Sequence, residues 1–276
     1  MKLFAKVAIV GLGLIGGSIA LGIKQKKLAG KIIGVSRRKR TLLLAKKYKA
    51  VDIAAQDLEV IRDADLVILA TPIDIIIKLS KKISKIVRKD CIVTDVGSTK
   101  KKISGHLSKI FPNYIGSHPL AGSEKAGITH ASPEIFKHSL CILTPGKNTK
   151  AVIVRKIKRL WKELGAKTVS LSPQEHDKIL SFTSHLAHIV AFALTGTIPK
   201  KYLGLGASGL KDTTRIAASD SKLWTGILLT NQDNLAKAIN LFERQLRMIK
   251  EAIKGGNAKE LGLLLQQAQE KRKALK

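Results

Sequence analysis

The stretch Val7-Ala8-Ile9-Val10-Gly11-Leu12-Gly13-Leu14-Ile15-Gly16-Gly17-Ser18 constrains the fold more than any other part of the chain. A short β-branched run meets a glycine turn, and an apolar helix-like segment follows. Gly11, Gly13 and Gly16 stand in the spacing G-x-G-x-x-G. In that spacing the first glycine permits a tight turn, the second lets a pyrophosphate approach the backbone, and the third lets the helix pack close to the strand. The helix start then aims free N–H groups and its positive dipole end at the phosphates. Gly11, Leu12, Gly13, Leu14, Ile15 and Gly16 are therefore expected to bind a dinucleotide. Lys2 and Lys6 ahead of the apolar run Val7 to Ile23 imitate a secretory signal. The glycines inside that run, and the lack of a small-residue cleavage site after it, favour the strand–turn–helix reading.

A chain of 276 residues holds one large or two ordinary domains, and 45 % hydrophobic content is enough for a substantial core. No other apolar run is expected to approach membrane length, which predicts a soluble protein. Cys91 and Cys141 sit in strand-like runs and are expected as buried, reduced thiols, which fits a cytoplasmic location. The net charge of +30 raises the possibility of nucleic-acid binding. The lysines are spread along the whole chain, aromatics are only 4 %, and no helix-turn-helix or zinc pattern is present. A lysine-rich solvated surface that attracts an anionic substrate is the simpler reading. Neither a specific nucleic-acid partner nor a membrane is expected.

Leu14 to Lys27 reads as a helix and Lys31 to Ser36 as a second strand, giving a βαβ unit. The residue closing that strand selects the cofactor. A carboxylate there would hydrogen-bond the ribose hydroxyls of NAD, whereas arginine accommodates a 2′-phosphate. This chain has Ser36, Arg37 and Arg38 and no acid, which favours NADP over NAD. The plainer alternative is that the arginines begin a basic surface helix. Further strands, with the turns or loops that follow them, are expected at Asp65–Pro72, Cys91–Ser98, Asn113–Pro119 and Ser139–Pro145, with a helix from Asp74 to Val87 capped by Asp74. Ligands of such sheets lie at the carboxyl ends of the strands, which places Thr71, Ser98 and His118 on one rim.

Pro145 to Thr149 looks like a boundary, although a helix (Ala151 to Leu164) and a strand (Lys167 to Leu171) are compatible with the same sheet. From Ser172 the character changes. Pro173 and Glu175 open a helix whose apolar spacing continues to Thr197, and further helices are expected near Lys211–Ala218, Asn231–Lys254 and from Ala258 onward. Their wide apolar stripes predict helix-to-helix dimerisation. His118-Pro119 begins a rigid loop presenting an imidazole. His185 and His188 are three apart and share a helix face. A polar pocket wall accounts for them better than a metal pair, and no metal is expected. Arg215 lies in an apolar region, where it is either a surface ion-pair partner or a two-pronged clamp for a carboxylate.

These motifs together resemble the prephenate and arogenate dehydrogenases of tyrosine biosynthesis. The resemblance rests on residues 11–18, Ala-Thr-Pro at 70–72, Asp-Val-Gly-Ser-Thr-Lys at 95–100, His-Pro-Leu-Ala-Gly-Ser-Glu at 118–124, Glu-His-Asp at 175–177, Ser-His-Leu-Ala-His at 184–188 and Lys-Asp-Thr-Thr-Arg at 211–215. It implies an α/β fold: a Rossmann-type doubly wound sheet over residues 1–171, then an all-α substrate and dimerisation domain over 172–276. It implies hydride transfer from the carbon bearing the ring hydroxyl to a nicotinamide, with loss of the ring carboxylate as CO2. His118 matches the family's catalytic histidine, Ser98 the serine that orients it, and Arg215 the arginine that binds a substrate carboxylate. His188, His185, Ser123 and Glu124 are implied substrate contacts. Glu124 and Asp177 are implied partners of Arg215 that gate the pocket. Thr71, Pro72 and Gly97 join the glycine turn and Ser36, Arg37 and Arg38 at the cofactor. The alternative is a dehydrogenase of the β-hydroxyacid type acting on another small anion; such enzymes rely on a lysine in the helical half, and the His118 loop argues against it.

Overall fold

The computed structural model describes residues 2–123 and 125–275. Eight strands form one sheet: β1 (Phe4–Val10), β2 (Ala29–Val35), β3 (Ile53–Ala55), β4 (Leu66–Leu69), β5 (Ile92–Asp95), β6 (Tyr114–Pro119), β7 (Leu140–Pro145) and β8 (Lys167–Ser170). Their order is β3-β2-β1-β4-β5-β6-β7-β8, parallel except for the antiparallel β6–β7 pair. The chain runs outward from β1 to β3, then crosses back to β4 on the other side of β1. That reversal opens a crevice beyond the carboxyl ends of β1 and β4. The central strands bury both faces, as parallel sheets do: in β1, Val7 and Ile9 point into one apolar cluster, Ala8 and Val10 into the other.

Helices α1 (Leu14–Gln25), α2 (Lys39–Lys47), α3 (Ile73–Ile86), α4 (Lys101–Leu107) and α5 (Ala151–Glu163) connect the strands. The Asp74 cap is not formed. The helix begins one residue earlier, with Pro72 at the capping position and no side-chain cap; Pro72 cannot donate a backbone hydrogen bond, and Asp74 falls within the first turn. The short strand β3 lacks a period-2 pattern long enough to read in sequence. Trp161 of α5 is fully buried and donates from Nε1 to Ser117 Oγ at 3.1 Å, pinning this helix beneath the strand that carries His118.

Beyond β8 the chain is helical: α6 (Pro173–Leu180), a π turn (Ser181–His185), α7 (Leu186–Thr197), α8 (Ser208–Thr214), α9 (Ser221–Thr230), α10 (Gln232–Lys254) and α11 (Ala258–Lys273). Ser172 and Glu175 form a reciprocal capping box at the start of α6, and Pro173 takes the first helical position. The run Pro173–Thr197 is long and apolar enough to cross a membrane by length and composition, with a mean hydropathy of 1.4. This corrects the expectation that no second run approaches that length. The apolar residues cover more of the helix circumference than one stripe, and α7 keeps only Ala191 buried. The chain divides into two compact units, Met1–Asn231 and Gln232–Lys276. In the first unit, α6 packs on α4 and β7, and α9 packs on α3.

Candidate active site

The glycine turn follows the sequence expectation closely. Gly11 has φ +101°, a conformation L side chains rarely adopt, and a Cβ there would stand 2.5 Å from the Ala70 carbonyl oxygen. A Cβ on Gly16 would lie 1.9 Å from the Gly11 carbonyl oxygen, so only glycine lets α1 start this close to β1. A Cβ on Gly13 would meet nothing within 4 Å. The turn thus leaves open space where a pyrophosphate would rest on backbone. No side chain caps α1, which leaves its first amides available to an anion. Leu12 is buried beneath β2, while Leu14 and Ile15 begin the helix. Across the crevice, Thr71 Oγ1 is buried with no hydrogen-bond partner among the described residues. These features fit a dinucleotide.

At the end of β2, Ser36 is half-buried and Arg37 and Arg38 are exposed. The Arg38 amide donates to Ser36 Oγ at 3.3 Å, and Gln56 Nε2 donates to the Arg37 carbonyl at 2.7 Å. The backbone carrying both guanidinium groups is therefore fixed while the side chains face solvent. Pro72 is exposed beside Thr71. The Gly97 amide donates to Asp95 Oδ2 at 2.8 Å, shaping the loop that presents half-buried Ser98.

Beneath that loop lies a buried polar cluster. Asp95 and Lys100 are both fully buried and paired, and Tyr114 donates from its hydroxyl to Asp95 Oδ1 at 2.7 Å. Burial, with the Asp95 charge next, pushes the Tyr114 hydroxyl well above its ordinary value.

His118 sits near the end of β6. Asp95, the last residue of β5, pairs with Gly116, so the imidazole stands two residues beyond that register at the sheet rim. It is only 8 % exposed. Its Nδ1 lies 2.8 Å from His176 Nε2, and His176 Nδ1 lies 2.8 Å from Asp177 Oδ1. Burial holds His118 well below the ordinary histidine range, and the facing charges of His176, Lys100 and His185 act in the same direction. Its neutral, basic form is the one present at neutral pH.

Asp177 lies inside the protein. It is 1 % exposed, and its oxygens accept from the backbone amides of Lys100 at 2.7 Å and Lys101 at 2.9 Å as well as from His176. A carboxylate held this way fastens α6 to the start of α4, and the expected pairing with Arg215 gives way to those contacts. Glu124 lies outside the described residues, and so does any gating by it. Ser123 is exposed, its hydroxyl accepting from the Lys125 amide at 3.2 Å.

The helical side contributes His185, His188 and Arg215. His185 is buried, with Nδ1 at 3.1 Å from Asn231 Nδ2 and Nε2 without a partner among the described residues. Burial lowers it to about 4. His188 stacks on Trp224 with ring centroids 3.5 Å apart, and His185 meets the same indole edge-on at 6.1 Å. The His188 Nδ1 lies 3.1 Å from the Ser184 carbonyl, so it donates there and Nε2 remains as the other face of the ring. Burial lowers His188, and the Arg215 charge adds to that shift. Arg215 is exposed at the end of α8. The roles of His176 and Trp224 were not foreseen: neither follows a readable spacing, since the partners of His176 and Asp177 lie 58 and 77 residues away.

A dinucleotide crevice at the switch point of a doubly wound sheet, with a buried neutral base at its rim, defines a nucleotide-dependent oxidoreductase. Family models agree: residues 19–170 match the prephenate dehydrogenase nucleotide-binding domain, and residues 172–267 match the prephenate dehydrogenase dimerization domain. The chain is 34 % identical over 269 residues to a prephenate dehydrogenase of Bacillus subtilis, covering 92 % of this chain and 72 % of that one. The crystal structure of prephenate dehydrogenase from Aquifex aeolicus with hydroxyphenyl propionate and NAD+ superposes with a TM-score of 0.93 at 34 % identity, over 99 % of this chain and 98 % of that one. Synechocystis arogenate dehydrogenase gives 0.83 at 32 % identity, over 98 % and 99 %. The chain belongs to the prephenate dehydrogenase family.

Proposed function

We propose that the protein catalyses the oxidative decarboxylation of prephenate or arogenate with NADP as hydride acceptor. The observation that carries this reading is His118: a buried, neutral imidazole near the carboxyl end of β6, on the same sheet rim that the glycine turn occupies at the end of β1. His118 takes the proton of the ring hydroxyl as the C–H pair leaves as hydride. The C–C pair of the ring carboxylate moves into the ring, CO2 departs, and the ring becomes aromatic. The bound nicotinamide supplies the hydride-accepting chemistry. Ser98 orients the imidazole and touches the hydroxyl. Arg215 holds a substrate carboxylate in a two-pronged grip, with His188, His185, Ser123 and Glu124 along the substrate. The turn Gly11–Gly16 and Thr71, Pro72 and Gly97 hold the dinucleotide.

The NADP preference is supported by the end of β2, where no carboxylate would repel a 2′-phosphate and two guanidinium groups stand ready for it. Relatives carry both the prephenate and the arogenate name. The helices from residue 172 onward are the proposed substrate and dimerisation region of a homodimer. Two buried thiols suit a reducing cytoplasm: burial raises Cys91 to about 12 and Cys141 higher still, so both stay protonated.

Purified protein given prephenate or arogenate, each with NAD or NADP, should form reduced nicotinamide fastest with NADP. Arg37→Ala should raise the KM for NADP more than that for NAD, and Arg215→Ala should chiefly raise the substrate KM. No turnover with either substrate would overturn the activity, and equal effects of Arg37→Ala on both dinucleotides would overturn the phosphate assignment.

A further inference from the structure

Asp177 accepts on both oxygens. Oδ1 takes the Lys100 amide and His176, and Oδ2 takes the Lys101 amide. A carboxylate in that setting has no proton to give, so His176 Nδ1 is the donor of the 2.8 Å contact. Burial outweighs the Asp177 hydrogen bond and keeps His176 below its ordinary value, and a neutral imidazole with a proton on Nδ1 offers only a lone pair at Nε2. The next contact, also 2.8 Å, must then be donated by His118 Nδ1. That leaves the lone pair of His118 on Nε2, the one ring nitrogen not already tied into the protein.

We propose that His176 and Asp177 are positioning residues that fix the tautomer of His118, placing its basic lone pair on Nε2 and its proton on Nδ1. The proposal rests on the dehydrogenase reading, in which His118 is the base. When Nε2 takes the hydroxyl proton, the resulting imidazolium still donates from Nδ1 to His176, whose far side is anchored on the carboxylate. The positive charge formed at His118 therefore meets a relay already oriented to stabilise it. The same logic governs a base whose partner carboxylate holds it in one tautomer, where loss of that carboxylate leaves geometry intact but chemistry slow. The relay links three elements: β6 carries His118, α6 carries the pair, and the start of α4 supplies the amides that lock Asp177. No member of the relay other than His118 needs to touch substrate.

Two measurements test this. Long-range nitrogen–proton NMR of the full-length protein labelled with 15N-histidine, with no substrate added, should show His118 protonated on Nδ1 and bare on Nε2. A His118 protonated on Nε2 overturns the proposal. This result is independent of whether the protein turns over prephenate or arogenate, so it separates failure of the relay from failure of the proposed activity. In turnover assays, His176→Leu removes the acceptor and should lower kcat by roughly 100-fold or more, the usual weight of general-base help, with substrate KM within about twofold. His176→Gln places an amide oxygen near the lost Nε2 and should restore kcat to within about tenfold of the parent. Loss of kcat in the leucine variant without rescue by glutamine, or a parallel rise in KM in both, would mark a merely structural residue and overturn the relay. If His176→Leu does not fold, the tautomer of the parent protein decides.

Discussion

At His118 burial and charge act in one direction. The ring is desolvated, and His176, Lys100 and His185 all face it with positive or potentially positive groups. Protonation would silence the base. A folded value well below 6.5 keeps the active form present as pH falls through the range where an ordinary histidine titrates. The acid limb of kcat/KM should therefore lie below pH 6.5, the ordinary histidine value. A limb at or above that pH would show that His118 is solvated or is not the base. His118 stands out in the sequence because a proline follows it, whereas the apolar region expected around Arg215 is not found: the residue is exposed. His176 was visible only as the middle of Glu175-His176-Asp177, and its work depends on partners far away in sequence. The setting of Asp177 is hidden in the sequence for the same reason: nothing local says that its oxygens accept from Lys100 and Lys101.

Among the elements, the strand–turn–helix at residues 4–25 was the most legible, because period, turn chemistry and glycine spacing agree there. It also gives a sharp contrast. Gly13→Ala adds a methyl that meets nothing in the protein at an ordinary negative φ. Gly16→Ala drives a Cβ to 1.9 Å from a backbone oxygen. The first variant should keep its melting temperature and lose dinucleotide affinity. The second should lose about 1–3 kcal/mol of stability as well, the ordinary cost of forced overpacking. Calorimetry with and without NADP distinguishes them, and equal stability loss in both would contradict the role given to open space at Gly13. Short or irregular elements escaped: β3 has three residues, and the π turn at Ser181–His185 interrupts what periodicity reads as one helix. Helix α9 is hard to read from the sequence although it carries Trp224, because Gly226 and four polar residues dilute its apolar pattern.

At the scale of the whole molecule, two features of composition find a use. The net charge of +30 suits an enzyme whose cofactor and substrate are both anionic, because a positive surface raises the local concentration of anions. The helices of the C-terminal unit expose Leu241, Leu246 and Ile253 on α10 and Leu263 and Leu265 on α11, each more than half exposed. A surface of that kind belongs against another protein surface. Light scattering should give a mass near twice 30.0 kDa, and Leu246→Asp with Ile253→Asp should shift it toward one chain. A monomeric parent at micromolar concentration would refute the dimer.

If His118 removes the hydroxyl proton while a separate group binds the substrate, single-turnover formation of reduced nicotinamide by His118→Asn will separate the two roles. With NADP and substrate both saturating, the rate should fall by roughly 100-fold or more while substrate affinity stays within a few-fold of the parent, as for loss of a positioned general base. A variant that turns over at the parent rate would contradict it.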